Sequence, residues 1–117
     1  DMHFHYGYFI MGAAIAAHFD PEWGRSTFEK VLLLIRCIAN PSTEDEFFVQ
    51  WRYKDWYRGH SWASGIATVF RNGKNQESSS EAIAAYEAIA LYGKSMVRSF
   101  LAHLCGSWQS THLSSSL

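Results

Sequence analysis

The sequence predicts an all-α fold in which inner and outer helices run antiparallel and a long aromatic-rich loop interrupts them. Residues 3–19 place Phe4, Tyr8, Met11, Ile15 and Phe19 at helical spacing, with no charge between Asp1 and Asp20. Residues 21–39 carry an apolar stripe beside Glu29, Lys30 and Arg36, the mark of a helix with one wet face. Residues 79–93 repeat the small, alanine-rich character of the first segment. A chain of 117 residues, 48% hydrophobic and 18% charged, is globular in composition and fits one domain at most. Its formal net charge of −1 supplies no basic surface for nucleic acid. No apolar run approaches the ~20 residues of a membrane span, and two cysteines are too few for a disulfide framework.

The first segment is filled by Gly7, Gly12, Ala13, Ala14, Ala16 and Ala17. A helix apolar all round is expected to be covered on most sides by close neighbours. The second helix has a defined start, with Asp20 as cap, Pro21 at the first helical position and Glu22 favourable to the dipole. Phe28, Val31, Leu32, Ile35 and Ile38 or Ala39 form its inner stripe, and Asn40-Pro41 ends it. Residues 40–76 hold no long periodic run but carry Phe47, Phe48, Trp51, Tyr53, Trp56, Tyr57, Trp62 and Phe70. A segment of that length and ring content in a small domain points to function. The third helix opens at Ser78-Ser79-Ser80-Glu81, a capping-box pattern, with Ala82, Ile83, Tyr86, Ile89 or Ala90 and Leu91 as its apolar face. A separate short helix is expected over residues 96–104, stopped by Gly106, before a Ser-rich tail. The division expected from this is 1–95 as one unit and 96–117 as a divergent end.

Three clusters carry chemistry. Asp1-Met2-His3-Phe4-His5-Tyr6-Gly7 gathers a carboxylate, two imidazoles and a phenol. These are metal-ligand types, but His3 and His5 do not share a helical face, and the plainer alternative is a helix start. Lys54-Asp55-Trp56-Tyr57-Arg58-Gly59-His60-Ser61-Trp62 mixes charges with ring planes. Sugars offer C–H faces to rings and hydroxyls to Asp, His and Arg, so this segment suits a carbohydrate groove; the alternative is a packed loop. Asn75-Gln76-Glu77-Ser78-Ser79-Ser80-Glu81 puts two carboxylates four residues apart, one helical turn, at a helix start. A capping role accounts for Glu81 but not for Glu77.

Asp1 and Glu77 are too far apart in sequence for local structure to join them. Inner and outer helices wound antiparallel make the first and third helices parallel, however, with both N-termini on one rim. That topology sets an acidic residue on each side of one cleft, and paired carboxylates across a sugar-binding cleft are the equipment of glycoside hydrolysis.

Three stretches together resemble glycoside hydrolase family 81, the endo-1,3-β-glucanases or laminarinases. They are Asp1-Met2-His3-Phe4-His5-Tyr6-Gly7-Tyr8, Lys54-Asp55-Trp56-Tyr57 with Gly59-His60-Ser61-Trp62-Ala63-Ser64-Gly65, and Asn75-Gln76-Glu77-Ser78-Ser79-Ser80-Glu81-Ala82. The resemblance covers residues 1–93 and implies a partial (α/α)6 barrel, a fragment of a longer catalytic module. It implies inverting hydrolysis of β-1,3-glucan without metal or other cofactor, and secretion or attachment to a cell wall. Asp1 matches the general acid, and Glu77 and Glu81 match the acidic pair that includes the general base, with Glu77 preferred. His3, Tyr6, Asp55, His60, Trp62, Asn75 and Gln76 are the candidate sugar contacts. Met2 stands where the family usually has His, Arg58 where an acidic or neutral residue is more frequent, and residues 94–117 do not resemble the family's next helices. A non-catalytic β-glucan-binding remnant is the alternative. The uncovered apolar faces of an incomplete barrel predict poor stability for the 117-residue chain by itself.

Overall fold

A computed structural model describes residues 2–63 and 77–114, with side chains up to residue 103. Three helices, α1 (Met2–Phe19), α2 (Pro21–Ala39) and α3 (Ser79–Ser114), dominate it. Two two-residue strands, β1 (Lys54–Asp55) and β2 (His60–Ser61), pair antiparallel within the aromatic-rich loop, with Lys54 opposite Ser61 and Asp55 opposite His60.

α2 begins and ends where its local chemistry requires. The carboxylate of Asp20 accepts the Trp23 amide at 3.0 Å, and Pro21 occupies the first turn, where no N–H is needed. At the other end Asn40 is extended, as a residue before proline must be. The Asn40 side chain then folds the following loop onto the helix end: its amide nitrogen donates to the carbonyl of Phe48 at 2.7 Å and its Oδ1 accepts the Ser42 amide at 3.2 Å. Arg36 grips Asp45 through two hydrogen bonds of 2.9 and 2.7 Å.

α1 and α3 run parallel. Phe4 packs with Ala82, Gly7 lies against Ala85, and His18 and Phe19 border the same groove as Arg98, so contacts advance in the same direction along both helices. α2 runs the opposite way. Its Gly24 faces Ala17 and Met96, while its last residue, Ala39, borders the same groove as Tyr86 and Ile89. Near its start, Arg25 donates to the Ser99 carbonyl, and the Ser99 hydroxyl donates to the Pro21 carbonyl at 2.9 Å.

The buried faces of α1 and α3 differ from the stripes expected of them. α1 buries His3, Phe4, Gly7, Ile10, Ala13, Ala14 and Ala17, whereas Tyr8, Ile15 and Phe19 of the expected stripe are exposed. α3 buries Ala82, Ala85, Ala88, Tyr92, Met96 and Ser99, and leaves Ile83 and Leu91 outside. The physical reason is backbone approach. Helix axes draw together where the side chains are smallest, and a Cβ built on Gly7 would stand 2.5 Å from the Cβ of Ala85.

α3 also differs in length. The separate helix expected after residue 95 is instead the continuation of one 36-residue helix. Gly93 costs a helix interior only about 1 kcal/mol, no proline follows it, and Tyr92, Met96 and Ser99 keep one buried face across the expected break. At its start, Glu77 precedes the first helical residue, so the one-turn relation expected between Glu77 and Glu81 does not hold.

Candidate active site

The first turns of α1 and α3 meet at one rim, and the exit of the hairpin lies between them. Phe4, Ala63 and Ala82 form a small buried cluster with the half-buried Tyr86 against it. Tyr53, just before β1, has its ring stacked on that of His3 at 4.7 Å between centroids, and its carbonyl accepts the Trp62 amide at 2.7 Å. The hairpin is thus fastened to α1 on one side and borders α3 on the other.

Glu81 reaches across this rim. Its backbone amide donates to the Ser78 hydroxyl at 3.3 Å, the backbone half of a capping box. Its carboxylate is engaged elsewhere: Oε1 accepts the Tyr8 hydroxyl of α1 at 2.8 Å. That bond, then the Ser78 side chain, holds the carboxyl below its ordinary pKa, and the imidazoles of His5 and His3 act in the same direction. Glu77 is exposed, one position before Ser78.

In the hairpin, Asp55 is committed to the turn it begins. Its Oδ1 accepts the Arg58 amide at 2.9 Å and its Oδ2 accepts the Trp62 indole at 3.0 Å, and these two bonds lower its pKa. Gly59 completes the turn with φ of 72°, a backbone that favours glycine. Trp62 is buried, with the His60 ring edge-on at 4.6 Å and the Arg58 guanidinium over it at 5.7 Å. The turn presents Trp56 and Tyr57 to solvent, with Lys54 5.5 Å over the Trp56 ring.

The structure thus brings together His3, Asp55, His60, Trp62 and Glu81 around one rim. His3 has no exposed surface, and Trp62 is buried, so both support the rim from beneath. Tyr6 is half-buried against the main core. Asp1, Asn75 and Gln76 lie outside the described residues. Periodicity alone places Tyr8 in one apolar stripe with Phe4, Met11, Ile15 and Phe19. The signal that separates it from its neighbours is the hydroxyl, which needs a polar partner at one end of an otherwise apolar ring. Among the described residues, no three His, Cys, Asp or Glu converge as metal ligands would, and no described helix is long and apolar enough to cross a membrane.

Residues 1–111 match the sequence profile of the glycosyl hydrolase family 81 C-terminal domain. The chain belongs to this family. Among curated family 81 relatives, a glucan endo-1,3-beta-D-glucosidase of Acetivibrio thermocellus is 52% identical over 96 residues, covering 80% of this chain and 12% of the relative. A primary septum glucan endo-1,3-beta-D-glucosidase of Schizosaccharomyces pombe is 43% identical over 96 residues, covering 80% of this chain and 9% of its own length. A solved family 81 glycoside hydrolase from Clostridium thermocellum superposes with a TM-score of 0.75 at 51% identity, over 82% of this chain and 14% of that one. The chain therefore spans roughly a tenth of the length of the family 81 relatives it matches.

Proposed function

We propose that this chain supplies the acid–base rim of an endo-1,3-β-glucanase that hydrolyses β-1,3-glucan with inversion. The supporting observation is that α1 and α3 start side by side, spanned by the bond from Tyr8 to Glu81. Asp1, next to the first residue of α1, is the general acid and protonates the glycosidic oxygen. A carboxylate at the start of α3, Glu77 or Glu81, accepts a proton from the attacking water on the opposite face of the sugar. Water must fit between the two groups, which inverting enzymes hold about 6.5–9.5 Å apart. A base must be ionised at working pH, and the depressed pKa of Glu81 meets that condition. Asp55 and Trp62 set the shape of the hairpin, whose exposed rings and His60 border the sugar path, and Asn75 and Gln76, the two residues before Glu77 in sequence, are further candidate sugar contacts.

The test is laminarin hydrolysis by the full natural protein that carries this sequence, with Asp1→Asn, Glu77→Gln and Glu81→Gln variants. Asp1→Asn and one of the two glutamine variants are expected to lose at least about a hundredfold in kcat. NMR of the first product is expected to show the α-anomer. Retained configuration, or full activity in all three variants, overturns the proposal. The exposed rings of Trp56 and Tyr57 suit one second reading, a glucan-binding segment without catalysis. Retention on a laminarin affinity gel without release of reducing sugar selects it.

A further inference from the structure

We propose that the pocket formed by the hairpin segment with α2 and α3 is a binding site for a small aromatic carboxylate, separate from the acid–base rim. Its volume is about 410 Å³, within the range of small-molecule sites. Three parts of the chain wall it: Trp51 and Trp56 of the hairpin segment, Ile89 and Ala90 of α3, and Ala39 at the end of α2. The two indole rings stand at 89° with centroids 5.4 Å apart, so they form a corner. A flat ring laid against one indole meets the other edge to face, and these are the two arrangements that aromatic pairs favour.

Trp51 holds its place at a backbone cost. Its φ of 46° lies in the left-handed region, which is unfavourable for a bulky residue. Its amide donates to the Asn40 carbonyl at 2.9 Å and its carbonyl accepts the Lys54 amide at 3.1 Å, and these bonds fix the conformation. Glycine or asparagine would meet that backbone requirement with less strain. What tryptophan adds is its ring.

Charge selects the ligand. Among the described residues, Lys54 is the one charged group on the pocket wall, and no carboxylate pairs with it. Its Nζ lies 5.5 Å over the Trp56 ring. Asp55 does not neutralise it: the Asp55 carboxylate accepts the Arg58 amide and the Trp62 indole, and adjacent residues of a strand point to opposite faces. A cation beside two indoles, on a wall that is otherwise apolar, matches an anion carried on a ring. The carboxylate accepts from the Lys54 ammonium while the ring meets the indoles. A glucose unit would bring hydroxyls that Ala39, Ile89 and Ala90 cannot meet.

The experiment titrates the full natural protein by calorimetry with 2-naphthoate, beside 2-naphthylmethanol, which keeps the ring and lacks the charge. One molecule of 2-naphthoate is expected to bind with a Kd of about 1 mM or tighter, and the alcohol about fivefold more weakly. Lys54→Gln should weaken 2-naphthoate by about the same factor and leave the alcohol unchanged. Ala90 is exposed on α3, so Ala90→Glu should keep its melting temperature while setting a carboxylate on the wall that Lys54 lines, and 2-naphthoate should no longer bind. Saturating laminarin should leave 2-naphthoate in place. No heat of binding, equal affinity for acid and alcohol, undiminished affinity in Lys54→Gln and Ala90→Glu, or full displacement by laminarin overturns the proposal. None of these outcomes bears on whether the protein hydrolyses glucan.

Discussion

His3 occupies the first turn of α1 with no exposed surface, its ring stacked on Tyr53 and tilted against Phe4, and among the described residues neither ring nitrogen has a hydrogen-bond partner. Burial lowers its pKa from 6.5 to about 4, with Glu81 opposing. The folded chain therefore holds His3 neutral in a range where the unfolded chain protonates it. The linkage has a definite sign. Above pH 6.5 the group adds no penalty. As pH falls from about 6.5 towards 4 the unfolded state gains a proton that the folded state refuses, and stability drops by up to about 1.4 kcal/mol per pH unit. Below about pH 4 the loss levels off. Helicity followed by circular dichroism should fall between pH 7 and pH 5. His3→Phe, which preserves the stack on Tyr53, should remove most of that dependence. Equal pH sensitivity in both proteins would contradict the assignment. The family resemblance makes His3 a candidate sugar contact. The stack that hides it comes from Tyr53, fifty positions away, and no local pattern announces such a partner.

At the level of helices, what the sequence discloses depends on whether the controlling chemistry is local. The start of α2 at Asp20-Pro21, its end at Asn40-Pro41 and its inner stripe through Val31 and Ile38 are all legible, because caps and amphipathic spacing act within a turn or two. The parallel course of α1 and α3 is also legible, from the alternation of small-residue and amphipathic helices. Which face of α1 is buried is not. Large apolar residues suggest Tyr8, Ile15 and Phe19, but the buried face is that of Gly7, Ala14 and Ala17, where axes can approach: Gly7 lies against Ala85 of α3 and Ala17 against Gly24 of α2. Two glycines of this one helix separate the effects. In Gly7→Ala the new methyl would lie 2.5 Å from the Ala85 Cβ and 2.7 Å from its Cα, a backbone clash that only separation of the helices relieves. The expected cost is about 2–3 kcal/mol despite better helix propensity. Gly12 has nothing within 4 Å of the same position, so Gly12→Ala should stabilise by about 0.5–1 kcal/mol. Urea melts of the two variants should move in opposite directions, and matching shifts would refute this account of the packing.

Over the whole molecule, three helices cannot cover the apolar surface that they carry. The radius of gyration is 18.3 Å, against about 13 Å for a compact domain of this length. α3, at 36 residues, is twice as long as α1, at 18. Phe9 and Phe19 on α1 and Val97, Phe100 and Leu101 on α3 remain exposed, more than scattered surface residues account for. An open groove runs between α1 and α3, with Met11, Ile15, Phe19 and Leu91 on its walls. In the C. thermocellum structure the matching segment is 14% of the chain, which leaves ample protein to lie over such faces. The 117-residue chain in isolation should therefore bind a hydrophobic dye at neutral pH. It should also associate as its concentration rises and unfold over a broad, low-temperature range. Calorimetry and light scattering on the purified chain test this together. A sharp transition above about 65 °C, the upper end for ordinary mesophilic domains, from a monomer that binds no dye would mean that the exposed rings are covered by contacts other than those described. The same surface makes the pH response of His3 easier to see, because in a marginally stable chain a penalty of about 1 kcal/mol changes the folded fraction severalfold.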